Sequence, residues 1–324
     1  MSDLAAQILK HVFRFRRTQN PQDPCAENPC ETCIDIHRDK LEYFLSQQLP
    51  IEFVILAFPA KSPNPNKVLG HLPDQGERLA VEFLQAFCEQ LSHFHAPGAR
   101  VRIASDGHVF GDLVRVPDET IDEYRAELVR MIETSGCENI DLYSLDDAFP
   151  PADYSLMREE LTFKYATPLE ELRRQVSTDQ NAKYLFNGIH RFVFEDQSGL
   201  PENAGLSRNR MREQAKGTAY SVIQRSDAWS RLVAERFPRS LRLSIHPQQC
   251  HAEKIGFQLL QTSENWFTPW HSVALDDGSG FRLVRKETAE EMSATLVWRN
   301  KRPSHYVAPA PGSVGVSINA EPVR

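Results

Sequence analysis

A chain of 324 residues, 41% apolar and 25% charged, has the composition of an ordinary globular protein of about two domains, which argues against disordered, collagen-like and membrane-embedded classes. Thirty-seven Lys and Arg against forty-four Asp and Glu leave a formal charge of −7, so the overall field repels nucleic acid and anionic membrane, and any anion site must be local. No apolar run approaches the roughly 18 residues of a membrane span.

The start, MSDLAAQILKHVFRFRR, lacks an apolar core followed by a cleavage site and reads as an amphipathic helix of a cytoplasmic protein. Residues 18–30 form a loop before a second helix near Thr32, closing an N-terminal helical segment, 1–48. IEFVILAF (51–58) is a continuous apolar run of the kind buried on both faces of a parallel sheet. Asp74 with Glu77 resembles a capping box, and Leu79, Phe83, Leu84, Phe87, Leu91 and Phe94 follow at helical spacing. ARVRIAS (99–105) is the next strand, Asp118 caps another helix, and NIDLYSL (139–145) is a third strand. This alternation predicts an α/β fold with a Rossmann-like parallel core over 49–150. A mostly helical stretch from about 153 to 237 precedes LRLSIHP, KIGFQLL, HSVALDD and FRLVRKE, with a hairpin turn at DDGSG. Helical and antiparallel β additions are therefore expected over 151–302, with an extended Pro- and Ala-containing tail over 303–324.

Several groupings carry candidate chemistry. The loop PAKSPNPNKVLG follows the first strand and places Lys61, Ser62, Asn64 and Lys67 where open α/β sheets bind ligands. Neither GxxxxGK[ST] nor GxGxxG occurs, which counts against nucleotide motifs. Arg102-Ile-Ala-Ser-Asp106-Gly-His108 ends the second strand, where a carboxylate and an imidazole suit an ammonium group or its proton; a plain Asp-Gly turn is the alternative. Residues 205–242 hold nine Lys or Arg and three acids, and Arg208, Arg212 and Lys216 share a helix face able to grip a phosphate, unless the face is merely solvated. His246, Lys254 and His271 supply titratable groups, with Trp266, Phe267 and Trp270 as possible pocket walls. Cys25, Cys30, Cys33 and His37 comprise four potential zinc ligands, but within 13 residues they are cramped. Free thiols and no bound metal are the expectation.

Taken together, FPAKSPNPNKVLGHLPDQGE, RIASDGHVFGDLVRVPDE, LRLSIHPQ and ENWFTPWH resemble the isonitrile (isocyanide) synthase family, also called the pyoverdine/dityrosine biosynthesis family, in its bacterial PvcA-type branch. The resemblance runs from about Cys30 to His271. It implies a cofactor-independent synthase that converts the α-amino group of L-tyrosine, or alternatively L-tryptophan, to an isonitrile, with ribulose 5-phosphate donating the carbon through an imine at its ketone. A downstream oxygenase would take the product. Under this reading Asp106, His246, Lys254 and His271 are the catalytic candidates. Lys61, Ser62, Asn64, Lys67, Arg102, His108, Arg208, Arg212, Lys216 and Trp270 are the substrate-binding ones. A non-catalytic phosphosugar- or nucleotide-binding protein is the competing function.

Overall fold

The computed structural model describes residues 2–20, 22–23, 25, 28–262 and 264–310. In chain order the elements are α1 (Ser2–Phe13), α2 (Glu31–Gln47), β1 (Ile51–Leu56), α3 (Gln75–Ser92), β2 (Ala99–Ala104), α4 (Gly107–Val114), α5 (Asp118–Thr134), β3 (Ile140–Tyr143), α6 (Leu145–Ala148), α7 (Tyr154–Tyr165), α8 (Leu169–Thr178), α9 (Gln180–Ser198), α10 (Arg208–Arg236), β4 (Leu241–Ser244), β5 (Lys254–Gly256), β6 (Val273–Asp276), β7 (Phe281–Val284), α11 (Lys286–Glu291), β8 (Thr295–Arg299) and β9 (Arg302–Val307). Among the described residues no helix is long and apolar enough to cross a membrane.

The first sheet is all parallel, in the order β3-β2-β1-β4-β5. β1 lies at its centre, and its alternating side chains feed two different cores, as strand geometry requires. Phe53 and Ile55 join Leu84, Phe87, Ile121 and Leu128 from α3 and α5, together with Ile8, Leu9 and Leu41 from the N-terminal helices. Val54 points the other way, into Met157, Leu161, Trp229 and Leu232 from α7 and α10. A strand covered on both faces has no polar side, which is why IEFVIL reads as an unbroken apolar run.

Local chemistry accounts for the helix starts. Asp74 accepts from the Gly76 N–H at 2.8 Å while Glu77 accepts from the Asp74 N–H at 3.0 Å, the expected capping box. Asp118, expected as a cap, is instead the first helical residue of α5. Pro117 takes the cap position at φ −59° and ψ 147°, and the freed Asp118 carboxylate binds Arg158.

LRLSIHP and KIGFQLL, grouped in sequence with the antiparallel portion, contribute β4 and β5 to the parallel sheet, because the 29-residue α10 carries the chain back across it. The sheet thus draws strands from both sides of residue 150. The second sheet, β7-β6-β9-β8, is mixed: β6–β7 and β8–β9 are antiparallel and β6–β9 parallel. The β6–β7 hairpin turns at Asp277–Gly280, where Gly278 and Gly280 have φ of 83° and 155°. Residues 303–307, expected in the extended tail, form most of β9, with Ser304, His305 and Tyr306 buried between β6 and β8. The stretch 311–324 lies outside the described residues.

Candidate active site

The carboxyl ends of β1, β2 and β4 open toward one crevice, beside the point where chain order reverses on either side of β1. After β1, Phe58 turns the chain in a left-handed conformation at φ 56°, a cost of order 1–3 kcal/mol for a non-glycine residue. Its carbonyl accepts from Ser105 Oγ at 2.9 Å, and its ring lies 5.2 Å from Trp270. The loops after β1 and β2 approach so closely that a Cβ on Gly107 would stand 2.1 Å from the Pro59 carbonyl oxygen, so this position requires glycine.

Two lobes of open space meet here. One, of about 980 Å³ including its open mouth, is walled by Phe110, Ile189, Phe192, Trp266, Phe267 and Trp270. The other, of about 1160 Å³ measured the same way, carries the cations Arg231, Arg242 and Lys254 among apolar residues such as Leu172, Val176 and Leu185, with Asp227 paired to Arg231 at 3.0 Å. Asp106 and His246 line both lobes and therefore stand at the junction of an aromatic chamber and a cationic one.

The electrostatics of this junction follow from burial. Asp106 Oδ1 is buried and has no hydrogen-bond partner among the described residues, and burial pushes the carboxyl up to about 7. Burial, then the charges of Arg17 and Lys254 and the nearby His271, hold His246 down to about 3, so its imidazole is neutral near pH 7. Its ring packs 5.2 Å from Trp266. Lys254 is lowered to about 8 by burial and by Arg242, against Asp227 and Glu253. No hydrogen bond or ion pair holds its ammonium among the described residues. A carboxyl titrating near neutrality can both accept and give a proton near pH 7, while the imidazole beside it stays neutral and can serve as a hydrogen-bonding group.

The lysine loop reaches the aromatic lobe, but its charges are already engaged. Lys61 is buried, with Nζ 2.7 Å from Asp74 Oδ2, 2.8 Å from Glu77 Oε2 and 3.0 Å from the Pro269 carbonyl. Its three N–H groups are thereby engaged, so in this arrangement none is left for the phosphate expected of it. Ser62 donates to Asp196 Oδ1 at 2.6 Å, as does Lys67 Nζ at 2.6 Å, and His271 Nε2 stands 3.4 Å from Asp196 Oδ2. Burial alone would raise the Asp196 carboxyl, yet Lys67 and His271 outweigh it and hold it well below the usual carboxylate range. Asn64 bridges the loop to α9 through the Glu195 carbonyl at 2.8 Å and lines neither lobe. Trp270 lines the aromatic lobe as expected.

Three expected binding groups lie elsewhere. Arg102 pairs with Asp141 and stacks 4.4 Å over Phe237. His108 is buried against Tyr154 with ring centroids 3.7 Å apart, and its Nε2 is 3.2 Å from Asp122. Arg208, Arg212 and Lys216 are exposed and line neither lobe. The two guanidinium groups lie 5.9 and 5.8 Å over the ring of Phe194. The stripe thus packs on α9 beside Glu195 and Asp196 and does not line the cavity. Its buried counterpart along α10 is Ala215 and Ala219, packed against α9, which turns the charged side to solvent.

Residues 41–297 match the family model described as "Pyoverdine/dityrosine biosynthesis protein". The chain belongs to this family. It is similar to L-tryptophan isonitrile synthase AmbI1 of Fischerella ambigua, at 41% identity over 94% of this chain and 95% of that one. It is similar also to L-tyrosine isonitrile synthase of Pseudomonas aeruginosa, at 39% identity over 95% of each. The crystal structure of PvcA from Pseudomonas aeruginosa superposes with a TM-score of 0.88, at 39% identity, covering 94% of this chain and 99% of that one.

Within this family member, sequence reasoning missed Asp196, the acceptor that gathers Ser62, Lys67 and His271. Its signal was the pair of acids, Glu195 and Asp196, directly after the apolar run FVF of α9. Arg231 and Arg242 were counted in the cationic stretch but not singled out. Arg242 alternates with Leu241 and Leu243 on a buried strand, a pattern that marks an inward-facing charge.

Proposed function

We propose that this protein is an isonitrile synthase that acts on tyrosine or tryptophan and takes the isonitrile carbon from ribulose 5-phosphate. The names of its relatives support the reaction class and the aromatic amino acid. The observation that carries the reading is the buried Asp106, whose Oδ1 has no hydrogen-bond partner among the described residues, sharing with His246 the junction of an aromatic and a cationic lobe. Two substrates of matching chemistry, an aromatic amino acid and a phosphosugar, would meet there.

In this reading the aromatic side chain occupies the lobe walled by Phe192, Trp266 and Trp270, and the phosphate lies against Lys254, Arg242 and Arg231. Asp106 in its ionised form takes a proton from the substrate ammonium, beside a neutral His246 that can hydrogen-bond the amine. The freed amine adds to the sugar's C2 ketone, one of its protons passing to the ketone oxygen, and Asp106 gives the proton it took to the departing hydroxyl, so that water leaves and a protonated imine remains. Holding both partners at one junction lowers the barrier by orientation. Proton removals and carbon–carbon cleavage then release the isonitrile, which an oxygenase would process.

The test is incubation of the purified chain with tyrosine or tryptophan and ribulose 5-phosphate labelled with ¹³C at C2, read by mass spectrometry. An isonitrile heavier by one mass unit is expected. Binding of the sugar without turnover of either amino acid would leave a phosphosugar-binding protein instead.

A further inference from the structure

Four cysteine sulfurs, from Cys25, Cys30, Cys33 and Cys250, all lie within 4.8 Å of one another. The first three belong to the compact cluster Cys25-x4-Cys30-x2-Cys33 at the start of α2. The fourth arrives from the loop between β4 and β5, 217 positions beyond Cys33. His37, the fourth ligand that spacing would nominate, is not among them. It is buried with its ring edge-on to Phe13 at 6.4 Å. The cramped spacing that argued against a metal thus no longer applies, since the set is three plus one, closed by a distant residue.

From this convergence we infer that Cys25, Cys30, Cys33 and Cys250 form a site for a single tetrahedral zinc ion. With Zn–S bonds of about 2.3 Å, a tetrahedron places its sulfurs about 3.8 Å apart. Here Cys33 and Cys250 are 3.6 Å apart and Cys25 and Cys250 are 3.0 Å apart. The latter is too long for a disulfide, whose sulfurs stand about 2.05 Å apart. The C-x4-C-x2-C…C spacing also occurs in two-iron ferredoxins. A binuclear cluster, however, holds its two cysteine pairs apart by its own length, which four sulfurs gathered within 4.8 Å do not allow.

The surroundings suit thiolates bound to a dication. Backbone N–H groups are aimed at sulfur: Cys30 N–H donates to Cys25 Sγ and His251 N–H to Cys33 Sγ, each at 3.4 Å. Such bonds stabilise the negative charge and orient the ligand. His251 reaches its position through a left-handed turn at φ 65°, and its ring Nε2 lies 3.3 Å from Cys30 Sγ. Arg16 donates to the carbonyls of Cys25 and Gln249, bringing a cation beside a site whose net charge with zinc would be −2. Zinc prefers this ligand set, and a closed four-thiolate shell marks a structural ion.

The ion would staple the N-terminal segment to the β4–β5 loop, with Cys250 midway between His246 and Lys254. It is therefore a positioning element for the junction, yet its existence does not depend on the reaction proposed above.

Metal analysis of the full chain purified under reducing conditions should find about one zinc per chain, and X-ray absorption should show four sulfur neighbours at roughly 2.3 Å. A mercurial thiol reagent should release that zinc to a chromogenic chelator. Cys33→Ser and Cys250→Ser should lose the metal, whereas His37→Ala and Cys88→Ala should keep it. Should a serine variant fail to fold, the absorption spectrum of the unaltered protein decides alone. Zinc below about one-tenth per chain after titration of the reduced protein with Zn²⁺ would overturn the inference. So would nitrogen or oxygen ligands, stoichiometric iron with visible absorption, or a mapped Cys25–Cys250 disulfide.

Discussion

Asp106 is where stability and chemistry pull against each other. Its folded pKa is raised by burial to about 7 from the ordinary 3.8, so between those values the folded state binds more protons than the unfolded one. Stability from this group is complete below about pH 4 and lost as pH rises to about 7. Asp106→Asn keeps the shape and stays neutral. It should therefore melt later than the unaltered protein at pH 8, by a margin on the order of 1–4 kcal/mol, and show little difference at pH 4. The same variant cannot transfer a proton, and its kcat should fall by about 10²- to 10⁴-fold with KM less affected. Equal melting differences at both pH values would separate Asp106 from the titration. A second residue-scale expectation concerns Lys61, whose removal in Lys61→Met leaves Asp74 and Glu77 buried without their cation. Breaking such a pair costs about 3–5 kcal/mol, measurable by denaturant unfolding. Unchanged unfolding would return Lys61 to the list of free ligands.

At the scale of elements, α10 carries arginines with different fates. Its N-terminal Arg208 and Arg212 point to solvent, while Arg231 near its other end lines the cationic lobe with Arg242 and Lys254. Truncating Lys254 or Arg242 to Ala should raise KM for the phosphosugar by an amount corresponding to about 1.5–3 kcal/mol per lost charged contact. Arg208→Ala and Arg212→Ala should leave kinetics alone and stability within about 0.5 kcal/mol. The reverse pattern in steady-state kinetics would restore the stripe as the phosphate wall. The α9 helix touches the site through Gly188, where an added Cβ would stand 2.2 Å from the Trp266 ring. Gly188→Ala should push that indole toward His246 and raise KM for the amino acid more than for the sugar; equal effects on both would point to general misfolding. What was legible in sequence follows from locality. Asp106 and His246 follow apolar strands directly, so their place at strand ends could be read. Asp196, Cys250 and the inward face of Arg242 depend on which distant elements meet, and nothing within a few residues encodes that. The ion pairs of Lys61 were hidden for the same reason: its loop is local, but its partners Asp74 and Glu77 stand at the start of the next helix.

For the molecule as a whole, the parallel sheet is assembled from segments far apart in the chain. β1 pairs with β2 over Ile51–Leu56 against Ala99–Ala104, but on its other edge Phe53 pairs with Leu241, with α3 through α10 intervening. Both lobes of the site depend on that second pairing, since β4 leads into His246 and carries Arg242. A chain ending after Arg236 should therefore lack a cooperative unfolding transition, checked by calorimetry; a sharp transition would show that the first three strands are self-sufficient. The arrangement also bears on synthesis. As the chain leaves the ribosome, one edge of β1 stays open while nearly two hundred more residues are made, at about 5–20 residues per second. For roughly ten seconds or more the strand presents unpaired backbone and apolar side chains to its surroundings. High contact order of this kind slows folding, so the yield of this protein in a cell is expected to depend on chaperone capacity during translation more than on the stability of the finished fold.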